Sequence, residues 1–418
     1  MKVKVGFILI IIFISTLPIA SALDLVPPFF LDSAQVLPSG IRNPRFSNVY
    51  VASDTRFGGG GQFEPLGAPL NRVIHWTDVL DAQKTATEKS IVLSTIKDTG
   101  LDVNGGPGNS TGAVNVVANV QVPVLAIGLS ERLTLAVAVP VMNISVSADS
   151  GFSRSAEGQK WVEHVSNLSV DDGNNAARQL NNAVNEKVSR LGYQPIQSKS
   201  ISNIGDIQVI GKYVVHQDPL NLWSLKTTLV LPTGIAPNSN AALDIPTGDG
   251  RVQIGETVLY DRILAPDLRW NAFGGILALL SNQMDRRIPI SDTDSLSSDQ
   301  ETLTRETGAV ASLGTSVSYF FPALGIMTGA GYHFQFQTQT HFSGGTLYSS
   351  QRYAELDALF PSQTLHSVVV MAGFSTIEWF KNKKFFYPLQ ANLVYSHPIF
   401  GRNVAASDVF TGEIVLFF

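Results

Sequence analysis

His333 and His341 are eight positions apart in one alternating stretch. They therefore share a strand face but stand roughly 26 Å apart at the rise of an extended chain, too far to hold one metal ion or relay one proton. Such histidines line a lumen or hydrogen-bond at the base of a loop. Nucleophilic chemistry fares no better, because Gly373-Phe374-Ser375-Thr376-Ile377 and Gly314-Thr315-Ser316-Val317-Ser318 both lack the closing glycine of a nucleophile elbow. No His-Glu-x-x-His pair occurs. With no cysteine in the chain, disulfides and thiolate metal sites are excluded. The acidic run Asp292, Asp294, Asp299 and Glu301 lacks the turn glycine and the spaced bidentate glutamate of a calcium loop, so it reads as a solvated loop that meets divalent ions at most loosely. The expectation is a protein that is not an enzyme and has no catalytic residue, metal site or cofactor.

The remaining polar residues of interest, Asp206, Lys212 and Lys226, sit in period-2 stretches that put all three on the inner face of adjacent strands. There they brace a wall or offer a handle to a ligand head group. Similar alternation runs through the chain. The last ten residues, Val409 to Phe418, carry Phe410, Gly412, Ile414, Leu416 and Phe418 on one face and end on an aromatic. About ten tilted residues are what a barrel strand needs to cross a bilayer. Further candidate strands fall near 113–128, 132–147, 201–215, 222–233, 250–264, 269–285, 307–321, 326–341, 364–381, 385–399 and 407–418. Their connections alternate between tight links, such as 217–221, 265–268, 322–325 and 381–384, and long polar ones, such as 148–200, 234–249, 286–306 and 342–363. Short periplasmic turns facing long extracellular loops are the pattern of outer-membrane barrels.

An even strand count requires an odd number of strands upstream of 113. Thr87 to Asp98 is the best candidate and the expected partner of the last strand across the seam. The fold class is therefore all-β: a transmembrane antiparallel barrel of about 12 strands. Fourteen result if Phe46 to Ala52 and Arg72 to Val79 are strands as well. Ile326, Thr328, Ala330, Tyr332, Phe334 and Phe336 face lipid, leaving His333, Gln335 and Gln337 to the lumen. The same reading puts Asn115, Asn119 and Gln121 inside, with Val114, Val116, Val120 and Val122 outside. Phe273 and Leu277, with Ile276, Leu279 and Leu280, make the stretch 269–285 apolar on both faces, so part of the lumen wall is apolar and suits a hydrophobic ligand.

Residues 1–22 read as a secretory signal peptide, with Lys2 and Lys4, an apolar run from Val5 to Ile14 and a small-residue site at Ala20-Ser21-Ala22. Charged residues make up 15% of the chain, low beside the roughly 25% of soluble domains and consistent with a lipid-facing surface. The net charge of -5 gives no basic footprint for nucleic acid. Residues 23–84, rich in proline, glycine and aromatics, form an expected N-terminal plug-like segment with Asn43, Pro44 and Phe46 as plug candidates, ahead of a barrel at 85–418. Within the insertion 148–200, Ala177, Leu180, Val184, Val188 and Leu191 recur at helical spacing and predict a helix in the longest extracellular loop.

Ile204-Gly205-Asp206-Ile207, Lys212-Tyr213, Leu229-Val230-Leu231-Pro232-Thr233-Gly234 and Ile245-Pro246-Thr247-Gly248-Asp249-Gly250 together resemble the pattern of the MetA-pathway phenol-degradation outer-membrane proteins, relatives of the FadL-type hydrophobic-compound channels. Asn43-Pro44-Arg45 is similar to the Asn-Pro-Ala of the FadL plug, with Arg in place of Ala. The resemblance implies passive uptake of small hydrophobic compounds, aromatics or fatty acids, through a plugged lumen with a sideways exit. Gly and Pro within strands, at Pro123, Pro140, Gly274 and Gly275, are places where strand pairing could break. The expected surroundings are the outer membrane of a Gram-negative bacterium, its bilayer and lipopolysaccharide, and the barrel-assembly machinery that reads the last strand. The alternative is a structural or surface-interaction barrel with a sealed lumen and partner-binding loops.

Overall fold

The structure is a computed structural model, and it describes residues 33–68, 71, 73–83, 85–168, 188–241, 243–291 and 296–418. Twelve antiparallel strands close into a barrel. They are β1 (Arg42–Ser53), β2 (Gly108–Ser130), β3 (Leu133–Ala138 and Val141–Arg154), β4 (Lys199–Ile204 and Ile207–Gln217), β5 (Asn221–Leu231), β6 (Gln253–Ala265), β7 (Leu268–Leu279), β8 (Ala309–Phe321), β9 (Ile326–Gln337), β10 (Gln363–Ser375), β11 (Leu389–Arg402) and β12 (Asp408–Leu416). Each pairs with its sequence neighbours, and β1 closes the ring by pairing with both β12 and β2. The register sets Phe46 opposite Ile414 and Pro123. Closure satisfies every edge, which an open sheet in lipid could not do.

The wall carries its own record of the membrane. Leu125, Val209, Val258, Leu313, Val370 and Leu393 project outward and are exposed. Below them, toward the short turns, aromatic pairs form a girdle: Trp223–Tyr260 at 4.4 Å, Tyr260–Trp270 at 5.5 Å and Tyr319–Phe321 at 4.5 Å. Above them Tyr395 packs on Phe410 at 4.7 Å. Aromatic rings favour these two interfaces because one end is apolar and the other tolerates water.

Three sequence expectations are corrected here. Thr87 to Asp98 is not a strand; it lies in helix α2 (Ala86–Asp98), which follows α1 (Trp76–Ala82) in the first long loop. Its apolar residues Val92 and Ile96 are one helical turn apart and pack with Trp76, Trp161 and Val162, the last two from α3 (Ala156–Leu168). Helical spacing and good helix formers outweighed the brief Ser-Ile-Val-Leu run. The seam partner of the last strand is accordingly β1, so Asn43, Pro44 and Phe46 belong to the barrel wall and not to a plug, and the barrel begins at Arg42. One candidate strand is lost and one gained, which leaves the count at twelve.

The third correction concerns β2. Val114, Val116, Val120 and Val122 are buried on the inner face, while Asn115 and Gln121 point outward. This strand, the longest of the wall, runs on above β1, paired there with the upper part of β3. Its outer face meets water there, and its inner face packs against loops that fold into the mouth. The expected helix around Ala177, Leu180 and Val184 lies outside the described residues, as do residues 1–22. Val188 is buried, with Leu191 packed beside it.

Candidate functional site in the barrel lumen

The stretch between β5 and β6 turns back into the barrel instead of out to solvent. Its anchor is Asp206, which sits where β4 breaks between Ile204 and Ile207; beside it β3 breaks at Pro140, whose carbonyl accepts from Gly205 N–H at 2.8 Å. The Asp206 carboxylate accepts backbone N–H groups from Gly234 at 2.9 Å and Asp249 at 2.8 Å. The two Pro-Thr-Gly repeats complete the clasp. Thr233 donates its hydroxyl to Gly205 O at 2.9 Å, and Thr247 donates to Ile204 O at 3.0 Å while accepting Ile235 N–H at 3.0 Å. Glycine is required at both turns: a Cβ on Gly248 would stand 2.5 Å from Asp206 Oδ1, and one on Gly234 would stand 2.5 Å from Thr247 O. The motif quoted from sequence is therefore a knot that ties a loop to the inner wall.

The tied loop is one part of a plug. Leu243 and Ile245 join Val188, Tyr193, Ile196 and Leu296 in packing on the apolar inner face of β1 to β3, including Val49, Val120, Met142 and Ile144. On the opposite wall Phe57, Val404 and Ala405 pack over Leu277, Leu279 and Val310. A charged seam accompanies them: Asp249 pairs with Arg251 and, at 3.1 Å, with Arg305, which also donates to Asp249 O at 2.7 Å. Buried charges persist only when paired and hydrogen-bonded in this way. Arg287 extends the seam by stacking on Tyr193 at 4.0 Å and donating to Leu191 O, Ser297 O and Gly192 O.

Toward the periplasm the lumen holds a different occupant. The segment Ser33 to Gly40 enters beside the first short turn, where Gly40 N–H donates to Gly128 O at 2.8 Å, and runs up the inner wall. Lys212 donates to Ser33 O at 2.8 Å and Gln35 O at 3.1 Å. Asp261 accepts from Ser33 Oγ at 2.7 Å and Ala34 N–H at 3.0 Å, and Leu37 N–H donates to Thr134 Oγ1 at 2.8 Å. Sequence reasoning missed these contacts. The signal was available in Lys212 and Asp261, inward charges whose strand neighbours offer no opposite charge: Lys212 stands opposite Lys226 in the register.

The residues singled out from sequence fall on the inner wall, but not in one cluster. Asp206 is in the clasp, Lys212 holds the N-terminal segment, and Lys226 is fully buried on β5. Phe273 on β7 packs beside His333 on β9, ring centres 5.5 Å apart, and lies against Gly314, where a Cβ would come within 2.3 Å of its ring. Gln335 and Gln337 continue the inward row on β9, and Leu277 lies under the plug. His341 stands apart, on an extracellular strand (Thr340–Ser343), paired with Asp357 at 3.0 Å. In that extracellular module Tyr353 donates to Glu301 at 2.5 Å, which, with the Thr346 amide, holds the Glu301 carboxyl below its usual range. Asp299 pairs with Arg352 at 2.7 Å, whereas Asp292 and Asp294 lie outside the described residues. Among the described residues no group of three or more His, Asp or Glu side chains could hold a metal ion.

One cavity opens on the outer wall. An apolar groove of about 480 Å³ is lined by Pro44, Phe46, Pro123, Leu125, Val137 and Val139.

These features define a twelve-stranded outer-membrane β-barrel with occupied lumen. An outer-membrane channel from Pseudomonas putida F1 has a similar fold, with a TM-score of 0.53 and 13% identity over 93% of this chain and 100% of that one. Weaker likenesses are to a Pseudomonas aeruginosa FadL homologue (TM-score 0.34, 7% identity, 90% of each chain) and the toluene transporter TbuX of Ralstonia pickettii (TM-score 0.35, 8% identity, 91% of this chain and 90% of that one). At those scores neither bears on what this chain does. No protein-family model matches the sequence, and no curated protein sequence matches it. The fold places the chain in the outer membrane of a Gram-negative bacterium.

Proposed function

We propose that this protein is a non-enzymatic outer-membrane channel for passive uptake of small hydrophobic compounds, aromatics or fatty acids, of the FadL type and akin to the MetA-pathway phenol-degradation proteins. The observation that carries the reading is the polarity of the inner wall. A water-filled porin presents polar side chains all round its lumen, whereas here, beside polar strands carrying Gln208, Lys226, Gln335 and Asn392, β1 to β3 present valines and β7 presents Leu277 and, next to the imidazole of His333, Phe273. Apolar surface of that kind favours a solute that leaves water. The clasped loop and the N-terminal segment occupy the path, so passage requires one of them to shift. The outer groove at Pro44 and Pro123 supports a sideways delivery into lipid, where an apolar molecule is more stable than in the periplasm. Lys212, Lys226 and Asp206 then serve as polar braces of the wall and its plugs.

Mass spectrometry of organic extracts from the gently purified barrel tests this directly. A bound aromatic or acyl compound is expected, depleted in Phe273→Ala. Recovery of polar solutes alone would overturn the reading and favour a sealed structural barrel, which the apolar packing of the mouth would also suit.

A further inference from the structure

Five turns face the periplasm, and four of them are brief: 131–132, 218–220, 266–267 and 322–325. None of the four carries more than one basic residue. The fifth, 376–388 between β10 and β11, is longer, contains helix α4 (Ile377–Lys381) and holds Lys381, Lys383 and Lys384 against the single acid Glu378. It is also the most aromatic turn. Phe374 at the foot of β10 meets Trp379 at 5.4 Å, Trp379 meets Phe385 at 6.5 Å, and Phe385 stacks on Phe386 at 4.8 Å. Phe386 meets Tyr387 at 5.4 Å, and Tyr387 reaches the terminal Phe418 at 6.2 Å. A continuous aromatic strip thus joins the lipid-facing wall to the turn.

Phe386 is 76% exposed, the highest value among the large apolar side chains of the described residues, and Phe380 and Tyr387 are exposed beside it. All three lysines are exposed as well, and among the described residues Lys381 alone of the three is engaged in an ion pair, with Glu378 at 2.8 Å. Lys383 is held in place by a left-handed backbone, φ 57°, and Lys384 by its N–H bond to Trp379 O at 2.7 Å. The ammonium groups are therefore presented from a fixed turn at the depth where the aromatic girdle marks the head-group layer.

We propose that this lip is a binding site for an anionic phospholipid of the periplasmic leaflet, its phosphate on Lys383 and Lys384 and its glycerol and upper acyl carbons against Phe386, Tyr387 and Phe418. Charge complementarity and continuity with the lipid-facing wall select a lipid over a soluble partner. Each lysine near an anionic membrane surface favours association by about fivefold, so two lysines give a preference of roughly 25-fold over a zwitterionic lipid. The site is independent of what the lumen carries.

Trp379 provides the readout. In full-length barrel carrying Trp223→Phe and Trp270→Phe, reconstituted in phosphatidylcholine, fluorescence quenching by brominated phosphatidylglycerol is compared with quenching by brominated phosphatidylcholine; Trp76 and Trp161 remain in the helical cap, beyond reach. The expected result is a preference of roughly 25-fold for phosphatidylglycerol, lost in the K381Q/K383Q/K384Q variant and weakened in wild-type sequence by 0.5 M salt. Equal quenching by the two lipids, or a preference that survives both the triple substitution and salt, would overturn the site. The salt titration needs no variant, so misfolding of the triple mutant leaves the test intact.

Discussion

At the scale of single residues, Asp206 has the most consequential position. It could not pair with a strand neighbour once β4 breaks at Gly205, and it instead caps two loop amides. Hydrogen bonds to a charged group contribute about 1.5–3 kcal/mol each, so Asp206→Ala is expected to weaken the clasp by about 3 kcal/mol. Amide exchange across Gly234 to Arg251 should then accelerate roughly 100-fold while the strands stay protected. Unchanged exchange in that loop would show that apolar packing alone holds it. The sequence marked Asp206 as inward and marked the Pro-Thr-Gly repeats as a pattern. It did not reveal that the two meet, because the contact depends on a strand break that period-2 reading passes over. Face assignment from alternation succeeded on β9, where inward His333, Gln335 and Gln337 contrast with outward apolar residues. On β2 it inverted: Asn115 stands above β1, but Gln121, paired with Asn48 within the wall, also faces outward, so on this strand the apolar face is spent on packing against the loops in the mouth.

At the scale of elements, the barrel is a frame that holds two occupants by different means. The clasped loop is held by hydrogen bonds plus an apolar interface with β1 to β3, while the N-terminal segment is held mostly by Lys212, Ser224, Asp261 and Thr134. Polar anchoring of a short strap is the weaker attachment, since fewer apolar groups are buried by it. Lys212→Met should therefore release Ser33 to Leu37, seen as increased protease or exchange susceptibility there and as larger single-channel conductance in planar bilayers. Conductance equal to wild type would place the barrier elsewhere, in the mouth. The helices α1 and α2 were unreadable as a unit from sequence for a physical reason: the side chain that joins them comes from a distant segment, Trp161 of α3, which packs on Trp76 of α1 at 5.6 Å and beside Ile96 of α2.

At the scale of the whole molecule, closure into twelve strands and the loop-length asymmetry were legible from alternation and turn chemistry, because a bilayer imposes them on any sequence that crosses it. The seam was misplaced because the first strand, Arg42–Ser53, lies in a segment rich in proline, glycine and aromatics that read as a plug, with Phe46 to Ala52 a strand only in the fourteen-strand alternative. Arg45 in fact turns inward to pair with Glu413 of the last strand at 3.2 Å. The molecule as a whole then presents an occupied lumen between lipopolysaccharide and periplasm, apolar along β1 to β3 and on part of β7 and lined elsewhere by polar side chains such as Gln208, Lys226, Gln335 and Asn392. The lipopolysaccharide leaflet retards apolar solutes, so uptake of a radiolabelled monoaromatic compound or fatty acid by intact Gram-negative cells, with and without the protein, is the direct test. Faster entry with the wild-type barrel, changed by Phe273→Ala and by Asp206→Ala, is the predicted result; entry at the same rate with and without the protein would contradict it.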